Sequence, residues 1–248
     1  GLPIPVDGSN NGWQHLGAIS KDTQTGELVG LVPVNIQNDF YVQTAKRLIE
    51  ITKDPERLDI LKSMPMKKIR KGISKRGSMT RAYSAGAQKI AENMYQDCKS
   101  AGFADQYGIT EHHCKGFAID LVKAISDVCP GPLKTMKFLQ DLAEAKLSEG
   151  WNYLTWVSPA GFPVVYENYH SDDMKLRNSI PGLGTKQCRV GHVMKIQSPI
   201  SDRRGFMCGI SPNFVHSQDA AHMQMVIDQF GKDFGAVHDS FSTHASDV

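Results

Sequence analysis

The chain lacks several features that would place it in a common class of protein. No apolar stretch approaches the ~20 residues that a membrane-spanning helix needs. Its five cysteines are an odd number and include no CxxC pair, which disfavours a disulfide scaffold and a zinc ribbon. There is no Walker A sequence, no G-x-S-x-G elbow and no HExxH helix. We therefore expect reduced thiols, a cytoplasmic location and no membrane partner.

Repeats, low-complexity tracts and an initiator methionine are also missing. The 248 residues are 40% apolar and 8% aromatic, which is typical of a globular protein with a sizeable core. Because the chain begins directly with a strand-like run, we expect it to be a piece of a longer protein.

Acidic residues are scarce in two segments, although the whole chain is nearly neutral, with 28 Lys and Arg against 26 Asp and Glu. Residues 60–91 contain nine basic residues and no acidic one. Residues 174–204 contain seven basic residues and one acid, Asp202. Such patches suit a polyanion, although a solvated helix face has the same composition.

Hydrophobic spacing predicts an α+β chain. We predict strands at 2–7, 153–157, 162–166 and across 235–242, an irregular hairpin over 170–205, and a polar turn at 23–26. We predict helices at 13–19, 34–51, 67–91, 117–127, 133–147 and 220–230. The helix at 67–91 contains Gly72, Gly77 and Gly86, each of which weakens a helix by ~1 kcal/mol.

Two aspartates stand at the ends of predicted strands. Asp7 ends an apolar strand before a glycine-containing turn, and Asp239 lies in a tight turn between two short strands. Carboxylates that converge in this way bind hard cations such as Mg²⁺. Two such ions ~3.5–4 Å apart can activate a nucleophile and stabilise the leaving oxygen in phosphoryl transfer. The alternative is that each aspartate only forms a turn.

The basic segment has a helical register. Lys71, Lys75, Met79 and Tyr83 are spaced by four residues, so on a helix they share a slowly drifting face. Two cations followed by an aromatic ring match a nucleoside triphosphate, because the ammonium groups neutralise charge on the phosphates. A solvated basic helix is the alternative.

Four segments that carry these residues resemble, in the same order, the single-subunit, bacteriophage-type DNA-directed RNA polymerases, which also serve mitochondria. They are DGSNNGWQH at 7–15, KGISKRGSMTRAY at 71–83, SPNFVHSQD at 211–219 and HDS at 238–240. A fifth segment, VSPAGFPV at 157–164, is similar as well.

The resemblance implies a right-hand polymerase core that contains a small antiparallel palm sheet and a mainly helical fingers insertion. The implied domains are palm at 1–24, fingers at 25–216 and palm again at 217–248, with a nucleotide-binding helix at about 67–91 and a specificity-hairpin-like segment at about 164–204. The implied function is DNA-dependent RNA synthesis from rNTPs by a two-metal mechanism. The implied partners are a DNA template with its promoter, the RNA product and rNTPs. The implied oligomeric state is a monomer. The implied location is the cytoplasm, which for a phage enzyme is the cytoplasm of the infected host cell.

The resemblance also implies site residues. Asp7, Gly8 and Asp239 are the metal-binding positions for two Mg ions. The catalytic residues are Asp7, Asp239, Lys75 and Tyr83, and the nucleotide-binding residues are Lys71, Arg76, Gly12 and His216. Tyr83 and His216 are expected beside the nucleotide 2′-OH, where Gly12 leaves space that a bulky acidic residue blocks in related DNA polymerases.

The chain departs from the family pattern at two positions. Lys71 stands where the family helix usually begins with Arg, which replaces a bidentate phosphate fork by a point charge. Ser84 follows the tyrosine, where the family usually has Gly.

The 170–204 segment matches the position of a hairpin that reads promoter base pairs in phage enzymes. Its candidate DNA-binding residues are Lys175, Arg177, Asn178, Lys186 and Arg189, which could contact guanine edges or only phosphates.

Two alternatives remain open at this point. One is a DNA polymerase of the same architecture, which Gly12 and the pairing of Tyr83 with His216 disfavour. The other is a template-binding fragment without catalysis.

Overall fold

Residues from both ends of the chain form one small antiparallel sheet, here called the terminal sheet. The computed structural model describes residues 2–35, 39–179 and 189–247, without side chains at 175–179 and 189–193. Strand β1 (Ile4–Asp7) pairs with β7 (Ser240–Thr243), which also pairs with β6 (Phe234–Val237). The strands predicted at 2–7 and across 235–242 are therefore confirmed.

The described residues between these strands are mainly helical, so the α+β class is confirmed. The helices are α1 (Asn11–Ser20), α2 (Thr23–Leu28), α3 (Phe40–Ile51), α4 (Pro55–Ser63), α5 (Met66–Ile69), a π-helical turn (Arg70–Ser74), α6 (Lys75–Arg81), α7 (Ala87–Ser100), α8 (Phe103–Tyr107), α9 (Glu111–Val128), α10 (Pro130–Ser148), α11 (Arg203–Phe230) and a final 3₁₀ turn (Ala245–Asp247).

The main core lies among α3, α7 and α9. Their apolar faces bury Leu48, Met94, Phe117 and Leu121, as expected for helices with apolar residues every three or four positions. Trp13 joins α1 to this body, because its ring is 1% exposed and its indole N–H donates to the Ser78 carbonyl over 2.9 Å. Helix α1 therefore connects the terminal sheet to α6, the helix that contains Ser78.

Two β-hairpins follow the helical body. Strand β2 (Tyr153–Val157) pairs with β3 (Pro163–Glu167), and β4 (Tyr169–Ser179) pairs with β5 (Arg189–Ser201). Both hairpins were predicted. In a second core cluster, Tyr166 packs on Phe206 of α11, which anchors the first hairpin to that helix.

The prediction of one continuous helix over 67–91 is wrong. A π-helical turn interrupts it at Arg70–Ser74, and a turn separates α6 from α7. Ser84 in that turn has a left-handed φ of 64°, which no continuous helix accommodates. Gly86 is extended and directly precedes α7, so one of the three glycines that weakened the prediction lies at the actual break.

Other boundaries differ because capping residues outweigh hydrophobic spacing. Asp39 accepts hydrogen bonds from the N–H groups of Tyr41 and Val42, so α3 begins at Phe40 and not at 34, and residues 36–38 lie outside the described residues. The turn predicted at 23–26 is the short helix α2, capped by Asp22. Helix α11 begins at Arg203 instead of 220, because Asp202 caps it and Pro212 is accommodated inside it.

Within the described part of the chain, no helix combines the length and apolar character that crossing a membrane requires. Cys98, Cys114 and Cys129 are buried as free thiols, and Cys208 is free and exposed. Cys188 lies outside the described residues.

Candidate active site

The terminal sheet places Asp7, at the end of β1, beside the turn that carries Asp239. Asp7 is paired with Ser240, and the Gly8 N–H donates to the Asp239 carbonyl over 2.9 Å. Asp239 lies in the two-residue turn between β6 and β7, where His238 has a φ of 54°. These two contacts place the backbones of Asp7 and Asp239 next to each other at one end of the sheet.

Gly8 makes this approach feasible. A Cβ atom at Gly8 would lie 3.2 Å from the Asp239 carbonyl oxygen and 3.4 Å from its Oδ2. A side chain would therefore press on the Asp239 carboxylate, and the glycine leaves that position clear.

The chemistry of these groups fits a hard cation. Asp7 is exposed and Asp239 half-buried, and among the described residues no Lys, Arg or His forms an ion pair with either. No group of three or more metal-ligating side chains occurs in the described part of the chain. Two unneutralised carboxylates with open solvent access suit Mg²⁺, which keeps several waters and takes few protein ligands.

Tyr83 packs between two elements that come from opposite halves of the chain. Its ring lies 5.0 Å from the ring of His216 in α11, and a Cβ atom at Gly12 would lie 3.1 Å from its hydroxyl oxygen. The structure thus brings together the three residues expected beside the 2′-OH. It also corrects one detail, because the space beside Gly12 is filled by the Tyr83 hydroxyl.

Burial raises the pKa of Tyr83, and the nearby carboxylates of Asp219 and Asp239 raise it further. The hydroxyl therefore stays protonated at neutral pH and keeps its capacity to donate a hydrogen bond.

A polar cluster around the buried carboxylate of Asp219 lies near Tyr83. Asp219 of α11 is 7% exposed and accepts a 2.8 Å hydrogen bond from the amide of Asn11. His15 Nε2 lies 3.9 Å from the same carboxylate. Burial lowers the pKa of His15, while Asp219 opposes that shift, so the imidazole is neutral at neutral pH.

Lys71 and Lys75 line a surface cavity of about 320 Å³ together with Met79 and Arg76. Both lysines are exposed, and the described residues offer neither of them an ion-pair partner. The Arg76 guanidinium instead pairs with Asp97 over 2.7 Å. The lysines and Met79 do share a face, but Tyr83 follows the end of α6 and lies away from that cavity, so the predicted common face ends at Met79.

The candidate DNA-binding residues lie in the second hairpin. Lys175, Arg177 and Asn178 are on β4 and Arg189 is on β5, where Asn178 pairs with Val190. Lys186 lies outside the described residues.

Sequence reasoning missed Asp219, although a signal was present. His216, Asp219 and His222 are spaced by three residues, which puts them on one face of a helix. Because the predicted helix in this region began at residue 220, the helical spacing of His216 and Asp219 could not be used.

Comparisons with known proteins extend over the whole chain. A family model described as DNA-dependent RNA polymerase matches residues 1–248. The chain is 28% identical over 257 residues to the mitochondrial DNA-directed RNA polymerase 1 of Arabidopsis thaliana, covering 100% of this chain and 25% of that protein. It is 30% identical over 258 residues to the chloroplastic DNA-directed RNA polymerase 3 of Nicotiana sylvestris, again covering 100% of this chain and 25% of that protein.

A phage protein is also similar. The DNA-directed RNA polymerase of Enterobacteria phage K11 is 24% identical over 293 residues, which cover 100% of this chain and 32% of the phage protein. The chain therefore spans between a quarter and a third of the length of these relatives.

Proposed function

This chain belongs to the single-subunit, phage-type family of DNA-dependent RNA polymerases, and from that premise we propose that it forms a catalytic centre for template-directed RNA synthesis from rNTPs. The observation that carries the proposal is the pairing of β1 with β7, which joins Asp7 and Asp239 from opposite ends of the chain. Tyr83, Gly12 and His216 meet near Asp239, whose carboxylate helps to raise the pKa of Tyr83.

The same pairing supports the proposed domain assignment. Residues 1–24 and 217–248 form the palm, since both contribute strands to the terminal sheet. Residues 25–216 form the fingers, whose helix bearing Lys75 runs from the π-helical turn to Arg81. Trp13 links the two parts through its hydrogen bond to Ser78.

Asp7, Gly8 and Asp239 would hold two Mg²⁺ ions, which supply charge neutralisation at the reacting phosphate and lower the pKa of the attacking hydroxyl. The protein's part is to keep the two carboxylates together and free of cationic side chains. The N–H of Gly8 donates to the Asp239 carbonyl and so holds the turn that carries Asp239. Because Gly8 has no side chain, the Asp239 carboxylate stays accessible.

Lys71 and Lys75 bind the triphosphate in this proposal. Their ammonium groups are exposed and without ion-pair partners in the described residues, and the carboxylate of Asp97, which lines the same cavity, is paired with Arg76 and not with either lysine. Arg76 contributes only after it leaves Asp97. Exposed ion pairs of this kind contribute at most about 1 kcal/mol, so a triphosphate can displace the carboxylate.

Tyr83 and His216 select the sugar. The protonated Tyr83 hydroxyl can bond a 2′-OH, and the absence of a side chain at Gly12 leaves room for that hydroxyl. A site that hydrogen-bonds a substrate hydroxyl rejects the analogue lacking it, because its own polar groups lose their partner.

The hairpin of β4 and β5 contacts DNA in this account. Lys175, Arg177, Asn178 and Arg189 lie on its paired strands, which suit insertion into the major groove. Lys186 is assigned to the same surface from the sequence alone. The monomeric state and the cytoplasmic location stay predictions.

The DNA polymerase alternative is disfavoured, since the matching family model and the relatives cited are RNA polymerases. A run-off assay of the intact gene product with four rNTPs on a promoter-bearing template tests the proposal. RNA of template-directed length is expected. Template binding without incorporation would favour the non-catalytic alternative, and incorporation of dNTPs in preference to rNTPs would favour a DNA polymerase.

A further inference from the structure

We propose that the hydrogen bond between Asn11 and Asp219 positions Gly12 against Tyr83 and thereby sets the preference for rNTPs over dNTPs. The inference rests on the proposed function. Asp219 is a positioning residue in this account, because it acts on Tyr83 through α1 and α11 and need not touch the nucleotide.

The contact is buried and depends on an amide partner. Asp219 is 7% exposed, yet the described residues supply no Lys or Arg as its counter-ion. Its short bond is the one from Asn11 Nδ2 at 2.8 Å, while His15 is farther away at 3.9 Å. A hydrogen bond to a carboxylate is stronger than one between neutral groups, and a buried carboxylate that loses it is costly.

The position of this bond couples it to Tyr83. Asn11 directly precedes Gly12 in the first turn of α1, and Asp219 follows His216 by about one turn in α11. Gly12 and His216 both lie against the Tyr83 side chain, which also packs on Leu16 of α1 and Val215 of α11. The same two helices that enclose Tyr83 are therefore joined by Asn11 and Asp219.

The contact at Gly12 is tight enough for small shifts to matter. A Cβ atom there would lie 3.1 Å from the Ala82 Cβ and 3.1 Å from the Tyr83 hydroxyl oxygen. When the tie is lost, α1 can move relative to α11, and the Tyr83 hydroxyl loses its fixed position. A loss of sugar discrimination is expected, which a role in stability alone does not predict.

The test measures the ratio of kcat/KM for ATP to that for dATP in the intact polymerase. Tyr83→Phe serves as the reference, because it removes the hydroxyl and should lower the ratio about tenfold. Asp219→Leu removes the acceptor and should lower the ratio by a similar factor. Asp219→Asn should retain most of the ratio, since its amide oxygen still accepts from Asn11.

A swap of the two groups separates positioning from simple damage. Asn11→Asp alone sets two carboxylates against each other and should lower the ratio. The double variant Asn11→Asp with Asp219→Asn restores an amide–carboxylate pair with reversed polarity and should recover the ratio. Asp120→Asn is the matched control, because it removes a half-buried carboxylate that pairs with Arg57 over 2.6 Å, away from the Tyr83 contacts.

Failure of the inference is distinguishable from failure of the proposed function. An unchanged ratio in Asp219→Leu beside a lowered ratio in Tyr83→Phe overturns the positioning role. Equal losses for ATP and dATP, or no recovery in the double variant, overturn it as well. If Asp219→Leu fails to fold, Asn11→Asp and the double variant decide. A wild-type enzyme that incorporates no nucleotide overturns the proposed function, and the inference with it.

Discussion

Gly8 donates its backbone N–H to the carbonyl oxygen of Asp239 over 2.9 Å, although these residues lie near opposite ends of the chain. This contact extends the pairing of β1 with β7 by one residue and brings Asp239 next to Asp7. The helical body between the two ends holds Tyr83 and the exposed lysines. The terminal sheet therefore brings the residues of the candidate site together more than any local sequence motif does.

Gly12→Ala is expected to impair nucleotide use by displacing Tyr83. The added methyl would lie 3.1 Å from the tyrosine hydroxyl oxygen and 3.2 Å from its Cζ. We expect kcat/KM for rNTPs to fall about tenfold or more, in line with an overpacking cost of ~1–3 kcal/mol. Gly17→Ala is the control, because Gly17 lies in the same helix as Gly12 and its added methyl has an equally close contact. That contact is 3.1 Å to the Thr25 Cγ2 and does not involve Tyr83. Equal losses in both variants would show that only α1 packing is affected.

Lys75→Ala should raise the KM for rNTPs about ten- to hundredfold, because a charge-assisted phosphate contact contributes ~1.5–3 kcal/mol. Lys89→Ala is the comparison, since Lys89 is also exposed but pairs with Glu92 on α7. Steady-state kinetics at constant salt measure both. Similar KM values for the two variants would indicate a solvated basic surface with no triphosphate site.

Ser84→Gly is expected to stabilise the protein by about 1 kcal/mol, since Ser84 has a φ of 64° that glycine adopts without strain. The substitution also removes a buried hydroxyl to which the described residues offer no hydrogen-bond partner. Ser84→Ala removes the hydroxyl but keeps the backbone strain, so it should gain less. Denaturant unfolding of both variants measures the difference. A Ser84→Gly protein less stable than Ser84→Ala would contradict the strain.

The sheet and hairpins could be predicted from the sequence because their signals are local. Alternating apolar residues and short turns define β2 with β3 and β6 with β7, and the structure confirms them. The break after Arg81 was harder to predict, since Ser84 does not mark a left-handed turn as a glycine there would. The length of α11 was missed because Pro212, usually a helix breaker, lies inside it.

The approach of Asp7 to Asp239 was expected from the family resemblance, since single-sequence spacing does not determine contacts between distant strands. The contact of Asn11 with Asp219 could not be predicted, although both residues lie in segments that resemble the family and Asp219 is spaced with His216 and His222. It depends on two helices meeting side by side, which the spacing of residues in one sequence does not determine.

The most direct test of the central claim is single-nucleotide incorporation by Asp239→Ala in the intact polymerase, measured together with template binding. We predict that incorporation falls by about a thousandfold or more, because metal-assisted stabilisation supplies several kcal/mol, while template affinity stays near the wild-type value. Ser242→Ala, in the strand that follows Asp239, controls for damage to β7 and should retain activity. Near-normal turnover by Asp239→Ala would contradict the assignment of Asp7 and Asp239 as the catalytic carboxylates.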